Sequence, residues 1–359
     1  MKLVVVYPEP LPDTKARAIS VTQTASALAS HCDTSILFAS NGRAPKFPSP
    51  FLHSIPLKKS LFGLKSNKIF NYFLLRKLKK MDYDIVYTRH LKVADFLYRH
   101  QIDYIFECHE IFHCSNKKLK DLEHRVVENA KGLVFINKTL QSIFKETFRI
   151  DAIPQSVIHN ATTFTLPYLQ KDFKDRNQLV YIGNLYPWKG VDFLLEAVQK
   201  LPTVKLSIIG GGTRLRELRD KAKNLGIASR VDFKGHMPHS QIEKILKQTT
   251  LAVIPNTKSD YTNFSSPIKL YEYLSASSVV IASDMPTIRE IVTDGVNGYL
   301  FQTGNLDDFV KTVKKALDAK SETLEKISYR AWQTSQQFTW DKRAEKIVEF
   351  AKSLEAGAF

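Results

Sequence analysis

The residues best suited to chemistry lie between Gly183 and Gly298, where glycine turns, lysines and a carboxylate recur at the ends of predicted strands. Groups of these types bind nucleotide phosphates at the carboxyl edge of parallel α/β sheets. The pattern therefore predicts a nucleotide-phosphate site in the second half of the chain. Its parts are the segments GNLYPWKG (183–190), GGG (210–212), SPIKLYEY (266–273) and DGVNG (294–298).

The first two segments place a cation and flexible backbone directly after strands. Lys189 follows the predicted strand Leu179–Gly183 and precedes a helix that Gly190 opens, so its ammonium group can meet a phosphate there. Gly210–Gly212 follows the predicted strand Lys205–Ile209, and its amides can approach an anion. Each feature also has a plainer interpretation, a solvated lysine beside a turn and a tight turn.

A serine–proline pair predicts the start of a helix that faces the ligand. Pro267 suits the first helical position after a cap at Ser266, and the free amides of that turn can hold a diphosphate. Glu272 lies in the same helix and can accept hydrogen bonds from two ribose hydroxyls, as acidic residues do in dinucleotide-binding folds. Taken alone, Glu272 is better explained as an exposed helix residue.

The elements that must position these residues alternate between apolar strands and amphipathic helices. Such alternation predicts an α/β fold with parallel sheets flanked by helices. A polar stretch near 163–178 separates two such halves, so we expect domains at 1–165 and 166–340 and a final helix at 341–359. The predicted strands are Leu3–Tyr7, Ser35–Ala39, Asp84–Thr88, Tyr104–Glu107, Leu133–Ile136, Leu179–Gly183, Lys205–Ile209, Arg230–Phe233, Leu251–Pro255, Val279–Ser283 and Gly298–Phe301.

Composition narrows the class of protein. The 359 residues include 52 Lys and Arg against 36 Asp and Glu, and the resulting net charge of +16 favours anionic partners. No apolar run approaches the ~18 residues that span a bilayer, and Pro8 interrupts the first residues too early for a signal peptide. The cysteines, Cys32, Cys108 and Cys114, predict no disulfide framework, which fits a cytoplasmic location.

The phosphate-site motifs keep a defined order: Gly-x-x-x-x-x-Lys-Gly, Gly-x-Gly, Val231-x-Phe233-x-Gly235, Ser-Pro-x-Lys-x-x-Glu-Tyr and Asp-Gly-x-Asn-Gly. In this order and spacing, the chain from about Leu179 to Phe301 resembles the C-terminal domain of the family-four retaining glycosyltransferases. The resemblance implies two Rossmann-like domains facing across a cleft, the glycosyltransferase B-type fold. It also implies a nucleotide-sugar site in the C-terminal domain, an acceptor site in the N-terminal domain, and a final helix that packs back on the N-terminal domain.

The resemblance assigns the site residues one by one. Lys189 would neutralise the diphosphate, Glu272 would hold the ribose, and His109 would hydrogen-bond the reacting sugar, so His109 and Lys189 are the expected catalytic residues. Further contacts are implied to the diphosphate from Asn184, Gly210, Gly212, Ser265, Ser266, Pro267 and Ile268, and to the base from the loop at His236 and Met237.

Two positions depart from the family pattern. Asn184 stands where the family often has an arginine, so one phosphate charge would go unpaired or would be met by Lys269 or by Arg17. Arg17 lies in the loop after the first predicted strand, where contact with the diphosphate or the acceptor and a plain helix entry are equally consistent.

The second departure is Phe264, which occupies the place of the family's first glutamate. Sugar recognition would then involve the backbone amides around Asn263–Ser266, or Asp260. The same departure is the clue to an alternative, a nucleotide-sugar-binding protein that has lost transfer activity.

His109 also begins a His-Glu-x-x-His motif that ends at His113, the spacing of a zinc protease helix. A zinc-dependent hydrolase is therefore a rival prediction, with Glu110 activating water. The context disfavours it, because the motif follows the predicted strand Tyr104–Glu107 and is soon interrupted by Ser115 rather than lying within a long helix.

A basic segment at 57–80 carries eight lysines and arginines and no acidic residue, interleaved with aromatic and aliphatic side chains. Such a pattern suits anionic lipid headgroups, and lipid-linked acceptors are common in the family that the chain resembles. A core-facing helix with a solvated basic side is the alternative. No nucleic-acid-binding motif is present, so nucleic acid is not an expected partner.

Together these observations predict a retaining glycosyltransferase that moves a sugar from a nucleoside diphosphate, with UDP favoured, to a hydroxyl group of a surface glycan or lipid-linked acceptor. The expected location is the cytoplasm, peripheral at the inner face of the membrane. No metal and no cofactor beyond the nucleotide sugar are expected, because Lys189 and the helix start would neutralise the departing diphosphate.

Overall fold

The computed structural model describes residues 1–11, 16–40, 52–56, 66–174, 176–259 and 262–357. It divides into two compact units, of which the first comprises Met1–His159 with Trp340–Phe359 and the second comprises Asn160–Thr339. The chain therefore crosses between the units after His159 and after Thr339, whereas the sequence suggested residues 165 and 340.

Every strand predicted from the sequence overlaps an observed strand. Two further strands, β3 and β7, were not predicted, because β3 is short and ends in proline and β7 is three residues long and mostly polar. The strands are β1 (Lys2–Pro10), β2 (Asp33–Ser40), β3 (Leu52–Pro56), β4 (Ile85–Thr88), β5 (Tyr104–Cys108), β6 (Gly132–Phe135), β7 (Gln155–Val157), β8 (Gln178–Ile182), β9 (Lys205–Ile209), β10 (Val231–Gly235), β11 (Leu251–Ile254), β12 (Val279–Ser283) and β13 (Tyr299–Phe301).

The helices alternate with these strands, as the apolar periodicity predicts. They are α1 (Ala16–Leu28), α2 (Ser66–Leu78), α3 (Leu91–Arg99), α4 (Phe112–Ser115), α5 (Lys120–Glu128), α6 (Lys138–Thr147), α7 (Val191–Gln199), α8 (Leu215–Asn224), α9 (His239–Gln248), α10 (Ile268–Ser275), α11 (Pro286–Arg289), α12 (Leu306–Asp318), α13 (Ser321–Ser335) and α14 (Trp340–Glu355).

The first unit contains a parallel seven-stranded sheet in the order β3-β2-β1-β4-β5-β6-β7. Strand order reverses between β1 and β4, which makes their carboxyl ends the switch point where such sheets bind ligands. Buried apolar side chains of β1 and α1 form one side of its core.

Helix α14 belongs to the first unit although it ends the chain. Its buried residues, including Ile347 and Ala351, join the same apolar cluster as β1 and α1. The close approach depends on Gly132 at the start of β6, where a Cβ would lie 2.8 Å from Leu354 Cδ1 and 2.9 Å from Phe350 Cζ.

The second unit contains a parallel six-stranded sheet in the order β10-β9-β8-β11-β12-β13. Apolar side chains cover both faces of this sheet, as expected for buried parallel strands. Its switch point lies between β8 and β11. The predicted class, two α/β domains with parallel sheets, is confirmed.

Candidate functional site

A short 3₁₀ turn carries Lys189 to the switch point of the second unit. Gly190 ends this turn in the left-handed conformation at φ 72°, and a Cβ there would lie 1.8 Å from Pro255 O, just after β11. The Thr257 amide donates to Trp188 O at 3.1 Å. These contacts fix the loop of Lys189 against the carboxyl ends of β8 and β11, the edge that the sequence predicts. Burial lowers the pKa of Lys189.

Lys269 places a second ammonium group at the same edge. Its Nζ atom is buried without a hydrogen-bond partner among the described residues, and it lies 4.1 Å from the ring centroid of Tyr181. Burial and then the charge of Lys189 lower the pKa of Lys269 well below its usual range, with Glu272 opposing them. In the part of the chain that the structure describes, no carboxylate forms an ion pair with either lysine. Two neighbouring cations without a counter-ion favour an anionic ligand.

The glycine loop after β9 lies directly against the end of β8. A Cβ at Gly210, whose φ is 144°, would lie 1.9 Å from Gly183 O, so no larger residue fits there. Gly212 packs against Leu185, because a Cβ added at Gly212 would lie 3.4 Å from the Leu185 amide nitrogen. Asn184 is exposed beside this contact. The structure thus brings Asn184, Gly210 and Gly212 together, as the motifs predict.

Glu272 is buried in α10 rather than exposed, which excludes the plain interpretation of an exposed helix residue. Its Oε1 atom accepts hydrogen bonds from Thr163 Oγ1 at 3.3 Å and from His239 Nε2 at 3.1 Å. No described residue hydrogen-bonds to Oε2, which leaves that oxygen available to a ligand. The hydrogen bond to Glu272 raises the pKa of His239, while burial opposes the rise.

His239 is a site residue that the sequence does not reveal. It begins α9, and its ring packs on Phe164 with a centroid distance of 4.6 Å. Nothing in the sequence near His239 marks its contact with Glu272, because the two residues lie on different helices and meet only through the packing of the sheet.

The start of α10 differs from the prediction by one residue. Pro267 is the N-cap and Ile268 the first helical residue, so Ser266 does not cap the helix. The Ser266 hydroxyl instead pairs with the Tyr271 hydroxyl at 2.9 Å, and Ser266 O accepts from Asn160 Nδ2 at 3.0 Å. The amides of Ile268 and the next residue still form the open first turn of the helix.

The residues before this helix differ in exposure. Phe264 is buried, Asn263 is exposed, and the Ser265 hydroxyl donates to Thr262 O at 3.4 Å. Asp260, which the sequence proposes as a sugar contact, lies outside the described residues.

The predicted base loop follows β10 and adjoins the glycine loop. Gly210 N donates to Gly235 O at 2.7 Å, and a Cβ at Gly211 would lie 3.8 Å from His236 Cβ. Met237, the next residue, packs against the apolar cluster under α10. The structure therefore gathers His236 and Met237 with the phosphate motifs.

The Asp294–Gly298 segment does not join this group. Asn297 closes the turn by donating to Ile291 O at 2.9 Å and accepting from Thr293 N at 2.7 Å. Asp294 accepts from Leu300 N at the start of β13. These hydrogen bonds give the motif a structural role in the turn.

In the first unit, Glu107 at the end of β5 is the centre of a buried polar cluster. It accepts hydrogen bonds from the Tyr87 hydroxyl and His109 Nε2, and Arg343 Nη2 lies 2.8 Å from its Oε1 atom. Burial alone would raise the pKa of Glu107, but Arg343 and His109 outweigh it and hold the pKa well below its usual range. Burial, assisted by Arg89, lowers the pKa of His109 to about 4. His109 is therefore neutral at pH 7.

The zinc-hydrolase arrangement is not formed. His113 Nδ1 contacts Glu123 Oε2 at 2.6 Å, whereas His109 contacts Glu107, so the two histidines serve different carboxylates. His109 precedes the four-residue helix α4, and Glu110 faces Arg17 at 3.3 Å. Within the described ranges, no group of three or more His, Cys, Asp and Glu side chains could hold a metal.

Arg17 lies in the first turn of α1, in the first unit. Its guanidinium group is 3.7 Å from Glu9 and 3.3 Å from Glu110, so its charge is already compensated by these two carboxylates. Of the two residues considered as a replacement for the missing family arginine, Lys269 rather than Arg17 is the one that lies unpaired beside Lys189.

Only part of the basic segment 57–80 is described, since 57–65 lie outside the described residues. Helix α2 buries Phe70 and Leu74 and exposes Tyr72 and Phe73, with Arg76 on the same outer surface. The core-facing helix and the exposed aromatic–basic surface thus coexist. None of the described helices is long and apolar enough to cross a membrane.

Comparison with known proteins agrees with this arrangement. Residues 170–334 match the family described as glycosyl transferases group 1. D-inositol 3-phosphate glycosyltransferase of Mycolicibacterium smegmatis is 27% identical over 179 residues, which are 48% of this chain and 39% of that protein. The uncharacterized glycosyltransferase MJ1069 of Methanocaldococcus jannaschii is 23% identical over 349 residues, 87% of this chain and 81% of its own. The chain therefore spans well under half of the first relative and most of the second.

Solved structures match over nearly the whole chain. Sucrose-phosphate synthase from Thermosynechococcus elongatus superposes with a TM-score of 0.82 at 16% identity, covering 99% of this chain and 100% of its own. HepE from Anabaena, solved with UDP, superposes with a TM-score of 0.79 at 16% identity, covering 98% of this chain and 100% of its own. These likenesses establish the glycosyltransferase B-type fold. The match to the glycosyl transferases group 1 family itself covers residues 170–334.

Proposed function

We propose that this protein is a retaining glycosyltransferase. It moves a sugar from a nucleoside diphosphate, preferentially UDP, to a hydroxyl group of a surface glycan or a lipid-linked acceptor. The observation that carries this proposal is the pair of ammonium groups of Lys189 and Lys269, which lie without a carboxylate partner among the described residues at the switch point of the second unit.

The diphosphate is the ligand that this pair of charges suits best. Lys189 and Lys269 supply cations, while the amides of Gly211 and Gly212 in the glycine loop and of the first turn of α10 supply hydrogen-bond donors. The same groups stabilise the negative charge that develops on the diphosphate as the sugar departs. The proposal therefore includes no metal and no cofactor besides the nucleotide sugar.

Glu272 and the loop at His236 complete the proposed nucleotide contacts. Because both protein contacts to Glu272 are at Oε1, its Oε2 atom can accept hydrogen bonds from the ribose hydroxyls. The loop of His236 and Met237 adjoins the glycine loop, which suits a base attached to that ribose. The structures of HepE with UDP, UDP-glucose, or UDP and glucose support the choice of UDP.

His109 is the proposed sugar-contacting residue of the first unit. Its Nε2 atom is held by Glu107, so the neutral ring presents Nδ1 as an acceptor to a sugar hydroxyl. Retention of configuration follows in this proposal from the likeness to the family-four enzymes.

The proposed acceptor lies at the inner membrane face, because Tyr72, Phe73 and Arg76 give α2 an aromatic and basic surface suited to anionic lipid.

A thermal-shift screen against nucleoside diphosphates and their sugars tests the proposal. We expect UDP or a UDP-sugar to give the largest rise in melting temperature, because a ligand that binds only the native state stabilises it. Lys189→Ala should abolish the rise. Lys311→Ala is the matched control, since it removes the same charge from an exposed position on α12 of the same unit.

Two outcomes would contradict the proposal at different levels. If no nucleoside diphosphate or sugar nucleotide raises the melting temperature, the nucleotide site is wrong. If UDP binds but no UDP-sugar is hydrolysed or transferred, even with membrane extract, the transferase is wrong and the inactive binding protein that Phe264 suggests is favoured.

A further inference from the structure

One guanidinium group connects the last helix of the chain to the candidate histidine of the first unit. Arg343 lies in the first turn of α14, with only 1% of its side chain exposed. Its Nη2 atom lies 2.8 Å from Glu107 Oε1, and the Glu107 side chain is 4% exposed. The ion pair is therefore buried, and Arg343 compensates the charge of Glu107 together with His109 and Arg89.

Arg343 is itself held in place by backbone groups. Its Nη1 atom donates to Ile158 O and, at 2.7 Å, to His159 O, the last residues of the first unit before the chain crosses to the second. A guanidinium group whose Nη1 binds two carbonyls, and whose Nη2 forms an ion pair with a carboxylate, has little freedom to move. Arg343 thus fixes Glu107 from a rigid position.

The ionised state of Glu107 determines which nitrogen of His109 carries the proton. An ionised carboxylate only accepts hydrogen bonds, so His109 Nε2 must donate to it. The neutral ring has one proton, and Nδ1 is consequently an acceptor. No described residue hydrogen-bonds to Nδ1, and this atom is not among the buried atoms that lack a partner.

We propose that Arg343 is a positioning residue for His109: by keeping Glu107 ionised, it fixes the tautomer of the imidazole, with Nε2 protonated and Nδ1 free to accept from a sugar hydroxyl. The positive charge of Arg343 itself opposes protonation of the ring. The role of His109 toward a sugar rests on the proposed function. The relay from Arg343 through Glu107 to His109 does not, because it involves residues of the first unit alone.

The charges around His109 determine the direction in which its pKa should change when Arg343 is removed. Glu107 favours the imidazolium form, whereas burial, Arg89 and Arg343 disfavour it, and Tyr87 contributes a hydroxyl donor to Glu107. Removal of Arg343 takes away one cation that opposes protonation of His109. The pKa of His109 must therefore rise, and the ring gains a proton at Nδ1 at a higher pH than in the wild type.

Proton–nitrogen NMR of the full chain tests this relay directly. Long-range proton–nitrogen spectra of ¹⁵N-labelled protein, with His109→Gln to assign the signal, report the tautomer and the titration midpoint. In the wild type we expect the Nε2–H tautomer at pH 7 and a midpoint of about 4. In Arg343→Gln we expect the midpoint to rise.

Lys346→Gln is the matched control, because it removes one charge from an exposed position on the same helix. It should leave the His109 signal unchanged, and Arg343→Lys should shift it less than Arg343→Gln. If Arg343→Gln does not fold, the tautomer of His109 is measured in Glu107→Gln instead. A glutamine no longer fixes this tautomer, so the Nδ1–H form should become populated.

An unshifted His109 midpoint in folded Arg343→Gln would overturn the proposal, as would an Nδ1–H tautomer in the wild type or an unchanged tautomer in Glu107→Gln. With a donor that is turned over, the acid limb of kcat should move to higher pH in Arg343→Gln and stay in place in Lys346→Gln. The NMR readout uses no nucleotide, so a failure of the relay and a failure of the proposed function are distinguishable.

Discussion

Gly183 and Lys269 are mutually dependent: a Cβ added at Gly183 would lie 2.5 Å from Lys269 Nζ. The backbone φ of Gly183 is 148°, which other residues rarely adopt. Gly183→Ala should therefore both strain the end of β8 and displace the ammonium group. We expect a lower melting temperature and at least a tenfold weaker affinity for UDP, measured by calorimetry.

Gly226→Ala is the control for this substitution, because Gly226 also has a positive φ of 69° but nothing lies within 4 Å of its added Cβ. It should lower stability without weakening UDP binding. Equal affinity for UDP in Gly183→Ala and the wild type would show that Lys269 does not contact the ligand.

Lys269→Met tests the second cation itself. A methionine keeps the apolar stem but removes the charge, and a hydrogen bond to a charged group contributes about 1.5–3 kcal/mol, so UDP affinity should fall about 10-fold to 100-fold. Because burial and Lys189 lower the pKa of Lys269, a bound diphosphate should raise it and draw a proton from the buffer.

Calorimetry in two buffers with different heats of ionisation measures this proton uptake. At a pH near the lowered pKa of Lys269, the wild type should take up protons on binding UDP, and Lys269→Met should take up fewer. Lys311→Met, on the exposed side of α12, should match the wild type. Identical proton uptake in all three proteins would contradict the assignment.

His239→Gln tests the support of Glu272. The substitution removes the 3.1 Å contact to Oε1, so Glu272 should be less well oriented and UDP affinity should fall about 2-fold to 10-fold. The pKa of His239 is raised, so its protonated form contributes stability that is complete at low pH and is lost as the pH rises through the folded-state pKa. Denaturant unfolding of both proteins from pH 5 to pH 9 measures this loss. If the two stability curves run parallel, the ion pair with Glu272 contributes nothing.

Burial of His109 as a neutral ring predicts a dependence of stability on pH that is opposite to that of His239. The unfolded chain protonates His109 below about 6.5, whereas burial delays protonation in the folded chain to about 4. The free energy of unfolding should therefore fall by about 3 kcal/mol as the pH drops through this window.

His109→Gln removes this term, and denaturant unfolding between pH 7 and pH 4 measures the difference. His90, whose pKa burial also lowers to about 4, contributes to the slope in both proteins and cancels. The same slope in wild type and variant would show that His109 is not buried as a neutral ring.

The phosphate motifs were predictable because each lies within a few residues of a strand end. Lys189, Gly210 and Gly212 could be placed at one edge of a parallel sheet, since all carboxyl ends of such strands meet there. The start of α10 was misplaced by one residue, because the Ser266 hydroxyl finds the Tyr271 hydroxyl instead of a free amide. Local sequence does not determine which of several partners a hydroxyl group takes.

Contacts between distant segments were not predictable. The pairing of Glu107 with Arg343 and of Glu272 with His239 depends on how helices pack across the sheets. The sequence offered Lys269 only as one of two substitutes for an arginine. Its isolation became evident from the burial of its Nζ atom, which no motif encodes.

The position of α14 has a consequence for synthesis of the protein on the ribosome. The apolar cluster of β1 and α1 includes Ala344, Ile347 and Ala351, so the first unit lacks part of its interior until α14 emerges. Nascent domains generally fold from the N-terminus onward. Here the second unit, Asn160–Thr339, is translated completely before the first unit can finish folding. Until α14 emerges, Glu107 lacks Arg343 as its buried counter-charge, and the second unit is the first that can fold to completion.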